Sequence, residues 1–275
     1  MKLKEFKAEI LRLCKKKAFI LGIFSLLIII FVLIYSDKSN MNEFKLSEKF
    51  LAPSFTHLFG TDQSGRDLFL RTVTGFRNTF LLALLIQLLA FIGGAVLGTF
   101  LGFYGNVFDE IFFHLANILL SFPSILLAMF LSLTMGNGVL PLIIIFSTAG
   151  LIYNIKVVRA EIMQIKTFDF VLGLRFSEIK DIRIIFYHLL PRGFFILLPL
   201  LPIFIGNTMI GISSFAFLGI GIQPPTPELG LILKDSMRFV TNAPWLIILS
   251  GAFQFSCVLI FSIFSDSIER GLRYE

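Results

Sequence analysis

Six apolar runs constrain the fold of this chain more than any other feature of its sequence. The runs contain no Asp, Glu, Lys or Arg, and most are close to the roughly 20 residues that a helix needs to cross a bilayer. They cover residues 18–35, 79–103, 112–134, 139–155, 193–222 and 245–264. Only 15% of the whole chain is charged, whereas soluble domains are about 25% charged. The sequence therefore predicts an all-α membrane protein with six transmembrane helices.

Two of these runs need separate comment. The run at 193–222 is longer than a bilayer requires and contains Pro199, Pro202 and Gly206, which predicts a tilted or kinked helix. No small-residue cleavage site follows the run at 18–35, so we expect a retained helix rather than a signal peptide.

Lysine and arginine set the predicted orientation. Seven of them lie within residues 1–17 and seven more within 156–192, and positive side chains favour the cytoplasmic side of a membrane. With six spans, both termini are predicted to be cytoplasmic. The net charge of +6 is accordingly interpreted as an orientation signal and not as a nucleic-acid interface. The predicted divisions are a basic tail (1–17), a first transmembrane helix (18–35), an extracytoplasmic loop (36–78) and a five-helix core (79–275) that includes the cytoplasmic loop 156–192.

The runs lack the groups that would drive transport by themselves. Ionisable side chains inside a bilayer usually mark ion or proton pathways, and the runs contain only His114, which we interpret as a packing residue. The chain has no G-x-x-x-x-G-K-[ST] phosphate loop, no HExxH or GxSxG motif, and no metal or disulfide spacing between Cys14 and Cys257. We predict a transport subunit that is not an enzyme and is driven by a partner. A stand-alone channel or ion-coupled carrier is the alternative.

The segment 156–192 is the predicted docking surface for that partner. Phe170, Leu174, Ile179 and Ile182 recur within it at roughly helical spacing, with basic residues between them. This pattern predicts a short amphipathic helix, which either docks into a cleft of the partner or lies on the membrane surface.

Four sequence blocks carry a family resemblance, and together they cover most of residues 55–230. They read His57-Leu58-Phe59-Gly60-Thr61-Asp62-Gln63-Ser64-Gly65-Arg66-Asp67; Gly102-Phe103-Tyr104-Gly105 with Asp109 and Ser121-Phe122-Pro123; Val158-Arg159 through to His188-Leu189-Leu190-Pro191; and Ser214 through to Gly230. In this order and spacing the chain resembles the C-type inner-membrane permeases of dipeptide, oligopeptide and nickel ABC importers.

The resemblance implies a type I ABC importer permease fold in a bacterial cytoplasmic membrane. It implies a heterodimer with a second, homologous permease, two ATP-binding subunits on the cytoplasmic face and an extracytoplasmic substrate-binding protein. ATP and Mg would then be bound by the ATPase subunits, and this chain would bind no cofactor. The implied substrates are di- or oligopeptides, with nickel or another metal chelate as the alternative.

The resemblance also assigns a coupling loop that contacts the ATPases. Its residues here are Asp169, Phe170, Val171, Leu172, Gly173, Leu174, Arg175, Glu178, Asp181 and Arg183. Two features depart from the family: Leu172-Gly173-Leu174 stands where a Glu-Ala-Ala triplet is usual, and Glu178 stands where a glycine is usual. Because glycine permits a tight turn, Glu178 is expected to continue the helix or to use a different turn.

Further assignments concern the predicted extracytoplasmic side and the spans. The outer-loop motif comprises Gly60, Thr61, Asp62, Gly65, Arg66 and Asp67, whose charged members we expect to shape the loop. Asn207, Ser213 and Ser214 either line a translocation path or satisfy helix contacts. Glu228 either bonds neighbouring backbone amides or meets the binding protein. Gly93, Gly94 and Gly98 are expected to allow close helix packing.

Two departures remove charge from the spans. His114 and Asn117 occupy positions where relatives often carry an Arg and an Asp, and Ile212 occupies the position of a membrane glutamate. The i, i+3 spacing of His114 and Asn117 still permits a hydrogen bond between them without an ion pair in lipid.

Overall fold

The computed structural model describes residues 45–105 and 107–273, and no strand is assigned within these ranges. The long helices are α1 (Leu68–Tyr104), α4 (Val139–Ile165) and α9 (Trp245–Arg273). The shorter ones are α2 (Val107–Ser121), α3 (Ser124–Met135), α5 (Asp169–Phe176), α6 (Asp181–Leu197), α7 (Leu201–Phe217) and α8 (Leu229–Met237). Helix α6 contains a π-helical stretch at Ile185–Leu189.

Three of the described helices are long and apolar enough to cross a membrane, namely α1, α4 and α9. The number rises to five if each of the bent pairs α2–α3 and α6–α7 is one span. These five coincide with the predicted runs from 79–103 onward, whereas the predicted tail 1–17 and first helix 18–35 lie outside the described residues. Within the described residues the predicted loop 36–78 ends earlier than expected, because α1 begins at Leu68 and carries Arg71 and Arg77 on its first turns.

Both bends occur next to prolines. Helices α6 and α7 meet at 52°, which confirms the kink predicted within 193–222. The bend of 85° between α2 and α3 was not predicted. Pro123 stands at the start of α3, and a proline disfavours helical geometry at the residue before it, here Phe122.

Helices α1 and α4 pack with glycines at their contact. A Cβ added to Gly94 would lie 2.3 Å from Asn154 Cβ, and one on Gly98 would lie 2.8 Å from Val158 Cβ. Gly93 is similarly close to Leu151. The predicted packing role of these glycines is confirmed, since no larger side chain fits between the two backbones at this distance.

Two apolar clusters give the bundle two distinct ends. The first cluster joins α1, α4, α7 and α9, and it buries Ile212 completely. The second lies around Phe103 at the end of α1 and includes Val171 of α5. We call this the α5 end, and we call the opposite end, where α1 begins, the Glu228 end.

Candidate functional site

Helix α5 is seated on the α5 end by apolar contacts. Val171 is fully buried, and Leu174 and Ile179 pack against the cluster around Phe103. Phe170 and Ile182 are exposed, so the predicted apolar stripe is wrong: the chain turns between Phe170 and Ile182 instead of continuing one amphipathic helix.

That turn is a left-handed C-cap at Glu178, whose φ is +54°. The N–H of Glu178 donates to Arg175 O at 3.0 Å and the N–H of Ile179 donates to Leu174 O at 3.2 Å. These are the two bonds of a Schellman motif, in which the left-handed position is usually glycine. The expectation that Glu178 would continue the helix or use another turn is wrong, because the two backbone bonds and the Leu174 and Ile179 side chains fix the turn without glycine.

Arg175 connects α5 to the end of α1. Its guanidinium lies 4.5 Å from the Phe103 ring centroid, and its Nε lies 3.8 Å from Asp181 Oδ1. Lys166 Nζ donates to Phe103 O at 3.3 Å. Since the Arg175 and Asp181 side chains are both partly exposed, the ion pair itself is weak and the stacking on Phe103 adds a contact of its own.

Aromatic side chains of α5 and of the residue before it are exposed. Phe176 is 87% exposed, Phe168 53% and Phe170 52%. Five other residues assigned to the coupling loop are also exposed, namely Asp169, Leu172, Gly173, Glu178 and Arg183. Asp181 is half-buried. Helix α5 is therefore fixed to the bundle through Val171 and Leu174 and leaves three aromatic side chains exposed, of which Phe176 is the most exposed while Phe168 and Phe170 contact each other.

At the Glu228 end, one tight turn brings together the residues assigned to the outer-loop motif. Asp62 Oδ1 accepts from the N–H groups of Ser64 (2.8 Å) and Arg66 (3.1 Å). Asp62 Oδ2 lies 2.7 Å from Arg66 Nε and 3.4 Å from Arg71 Nε. All of these contacts are made within the chain, which agrees with the expectation that the charged residues of the motif shape the outer loop.

The remaining motif residues join this turn to α1 and to the preceding segment. Asp67 caps α1 by accepting from the Leu70 N–H at 2.9 Å, and its second oxygen lies 2.8 Å from His57 Nδ1. The buried Thr61 accepts from the Leu51 N–H at 2.9 Å. Gly60 and Gly65 have φ values of +75° and +71°, and a Cβ on Gly65 would lie only 1.8 Å from Lys45 O.

Glu228 is a fully buried carboxylate that joins three helices. Its Oε1 lies 3.0 Å from Thr79 Oγ1 of α1 and 3.1 Å from Ser213 Oγ of α7, and its Oε2 accepts from the Leu231 N–H of α8 at 3.0 Å. Burial raises the pKa of Glu228, and the hydrogen bonds from Leu231, Thr79 and Ser213 lower it only in part. The predicted backbone bond is present, whereas the two hydroxyl partners were not predicted.

The residues assigned to a translocation path divide between two faces of α7. Ser213 is buried against Glu228. Asn207 and Ser214 are exposed, and Ser214 Oγ donates to Ile210 O at 2.8 Å. Only Asn207 and Ser214, two turns apart, share an exposed face.

Sequence reasoning missed a charged contact between α2 and α4. Arg159 forms a two-point ion pair with Asp109 and lies 4.7 Å from the Phe113 ring centroid. Asn117 Oδ1 accepts from Lys156 Nζ at 3.4 Å, while the His114 side chain is 75% exposed beside Glu110. His114 and Asn117 thus lie beside different partners, Glu110 and Lys156. The i, i+4, i+8 spacing of Asp109, Phe113 and Asn117 was the available signal.

Comparisons with known proteins agree on one family. The family described as "Binding-protein-dependent transport system inner membrane component" matches residues 94–274. The dipeptide transport system permease protein DppC of Alkalihalophilus pseudofirmus is 30% identical over 264 residues, which are 95% of this chain and 87% of that protein. The oligopeptide transport system permease protein OppC of Bacillus subtilis is 26% identical over 97% of this chain and 88% of its own length. The glutathione transport system permease protein GsiD of Pectobacterium atrosepticum is 29% identical over 86% of this chain and 76% of its own length.

Proposed function

The chain belongs to the family of binding-protein-dependent transport system inner-membrane components, and from this premise we propose that it is a permease subunit of an ATP-driven importer of di- or oligopeptides. It works in a bacterial cytoplasmic membrane by alternating access. It pairs with a second, homologous permease, with two ATP-binding subunits and with an extracytoplasmic substrate-binding protein. ATP and Mg bind to the ATPase subunits, and this chain carries out no catalysis and holds no cofactor.

The names of the relatives support peptides as the substrate class. Dipeptides, oligopeptides and glutathione differ in length and side chains but share the peptide bond. Import of nickel or another metal chelate is the alternative, and the described residues include no group of three or more His, Cys, Asp or Glu that could hold a metal ion.

The exposed and the packed side chains of α5 carry the proposal for energy coupling. In this proposal the α5 end is cytoplasmic and the exposed side chain of Phe176, at the C-terminal end of α5, enters a cleft on an ATPase subunit. Exposed aromatic side chains of this kind dominate many protein interfaces. The contact of α5 with the bundle, through Val171 and the stacking of Arg175 on Phe103, transfers the movement of the ATPase to α1.

The exposed polar side chains of α7 support a translocation path. Asn207 and Ser214 lie on a face with apolar neighbours such as Ile210, and we assign this face to the path between the two permeases. Ser213 is not part of the proposed path, because Glu228 already occupies its hydroxyl.

The test is dipeptide uptake into liposomes that contain the complete importer, with Phe176→Ala as the variant. Phe255→Ala on α9 is the matched control, since Phe255 is another highly exposed aromatic that lies toward the Glu228 end. We expect Phe176→Ala to lower ATP-dependent uptake and peptide-stimulated ATP hydrolysis at least about tenfold with normal membrane levels, and Phe255→Ala to change neither. Equal activities would contradict the assignment of α5. Peptide flux through this chain alone, without the ATPase subunits, would favour the channel or carrier alternative.

A further inference from the structure

A cavity of about 420 Å³ opens at the Glu228 end of the bundle. Its walls come from three parts of the chain: α1, the turn that precedes α4, and the loop after α7. Its lining includes the side chains of Asn78, Leu82, Asn137, Val139, Gln223 and Thr226. The volume is within the roughly 300–1,000 Å³ of small-molecule sites.

The hydrogen bonds of two side-chain amides fix what this cavity offers to a ligand. Asn78 Nδ2 donates to Pro227 O at 2.8 Å, and Gln223 Nε2 donates to Gly219 O and Gly221 O, each at 3.1 Å. All three partners are carbonyl oxygens, which only accept, so the nitrogen of each amide must face them. The oxygens Asn78 Oδ1 and Gln223 Oε1 are left to accept from a ligand.

The rest of the lining narrows the class of ligand. None of the lining residues is charged, and none is His or Cys, so the site lacks the carboxylates, imidazoles and thiolates that bind metal ions. It also lacks the carboxylate that would pair with an ammonium group. Two neutral acceptors beside Leu82 and Val139 match a donor that is itself neutral, and the N–H of a peptide bond is such a donor.

We propose that this cavity is a subsite that receives the backbone of the incoming peptide, independently of its side chains. This inference rests on the proposed function. The loop that forms one wall is held in place beforehand: Gln223 bonds to it, Leu142 packs against Gly221, and Pro227 is tied to α1. A wall ordered in advance reduces the entropy lost when a ligand binds.

Filling the cavity from two sides tests the proposal. Val139→Trp and Thr226→Trp each add an indole at a residue that is already exposed, so neither needs a change in the core. Leu133→Trp is the matched control, because Leu133 is 85% exposed on α3 and does not line the cavity. The assay is uptake of alanyl-alanine by the complete importer in liposomes, with saturating peptide-loaded binding protein.

We expect both cavity variants to lower the rate of uptake at least about tenfold, because the indole occupies space that the peptide backbone needs, while Leu133→Trp stays within about twofold. The concentration of binding protein that half-maximally stimulates ATP hydrolysis should not change in any variant. Wild-type rates in both cavity variants would overturn the inference. Loss of the co-purifying partner permease in both would also overturn it, because the cavity would then be a subunit contact.

A backbone-methylated substrate separates peptide-bond recognition from simple space filling. Alanyl-alanine with an N-methylated peptide bond has no amide N–H, and its transport is expressed per molecule of loaded binding protein. We expect it to move at least about fivefold more slowly than alanyl-alanine through the wild-type importer, a loss near 1 kcal/mol for one hydrogen bond. Equal rates would contradict backbone recognition. Failure of the wild type to transport either peptide with ATP would instead contradict the proposed function.

Discussion

Glu228 shows how one buried carboxylate can fix the relative positions of several helices. Its oxygens are bonded to groups on α1, α7 and α8, and a buried acceptor without these donors would be costly. The capping bond to Leu231 is readable from the sequence, because an acidic residue directly precedes the apolar start of α8. The bond to Thr79 could not be predicted from the sequence, since 149 residues separate Thr79 from Glu228 and no local pattern connects them.

The burial of Glu228 predicts a pH-dependent stability. Its pKa is raised in the folded chain, so the folded state binds the proton more tightly than the unfolded state. The stability from this group is therefore complete below the ordinary Glu value of 4.5 and is lost as pH rises through the raised pKa. Glu228→Gln keeps a neutral side chain of the same shape, and its stability should not depend on pH through this group.

The measurement is the thermal unfolding midpoint of the purified complex in detergent, at a series of pH values upward from 4.5. We expect the variant to gain stability relative to the wild type as pH rises, because only the wild type then carries a buried charge. Gln164→Ala is the control, since Gln164 is exposed and uncharged, and it should give a difference that does not vary with pH because neither side chain titrates. A constant difference for Glu228→Gln would mean that the carboxyl group does not titrate in this range.

At the scale of the helix and its turns, local composition predicted some features and failed on others. Prolines within 193–222 predicted the kink between α6 and α7, but Pro123 was not recognised as the cause of a sharper bend, since the surrounding run contains no Asp, Glu, Lys or Arg and was read as one span. The prediction at Glu178 failed for a different reason. Glycine is preferred at such a turn because the left-handed conformation costs other residues free energy. Here the backbone bonds to Leu174 and Arg175, together with the packing of Ile179, outweigh that cost.

The Schellman turn predicts opposite results for two substitutions at Glu178. Glycine adopts the left-handed conformation without the roughly 1–2 kcal/mol penalty of other residues, so Glu178→Gly should keep uptake and peptide-stimulated ATP hydrolysis near wild type. Glu178→Val places a branched Cβ at φ +54° and should lower both several-fold by displacing α5. Ser177→Val, one residue earlier with φ −81°, is the control and should be tolerated. A fully active Glu178→Val would show that this turn does not position α5.

Across the whole molecule, α1 joins the two ends at which polar groups are held. It is 37 residues long, about 55 Å at 1.5 Å per residue, and it carries Phe103 under Arg175 and Thr79 beside Glu228. The hydrophobic pattern predicted helices at each of the five runs that the structure describes. The pattern did not predict the contacts that join the helices at each end, because tertiary contacts such as Arg175 on Phe103 depend on how helices meet and not on their periodicity.

This connection predicts that charge reversal at Arg175 acts at both ends of the molecule. Arg175→Glu removes the cation from the Phe103 ring and sets two carboxylates side by side at Asp181, so we expect it to abolish uptake and peptide-stimulated ATP hydrolysis with normal membrane insertion. Asp181→Arg should do the same. Lys180→Glu, the same change of charge at an exposed neighbour, is the control and should retain activity.

The double variant Arg175→Glu with Asp181→Arg exchanges the two charges, and it thereby separates the effect of the ion pair from that of the contact between Arg175 and Phe103. It restores an ion pair but not the stacking on Phe103, so we expect partial recovery of uptake.

A labelling experiment tests whether the movement reaches α7. In a Ser214→Cys background, ATP should change the rate at which a membrane-impermeant thiol reagent labels the exposed face of α7. Arg175→Glu should remove that change, because α5 then no longer moves α1. An unchanged ATP effect would show that movement reaches α7 by a route other than α5 and α1.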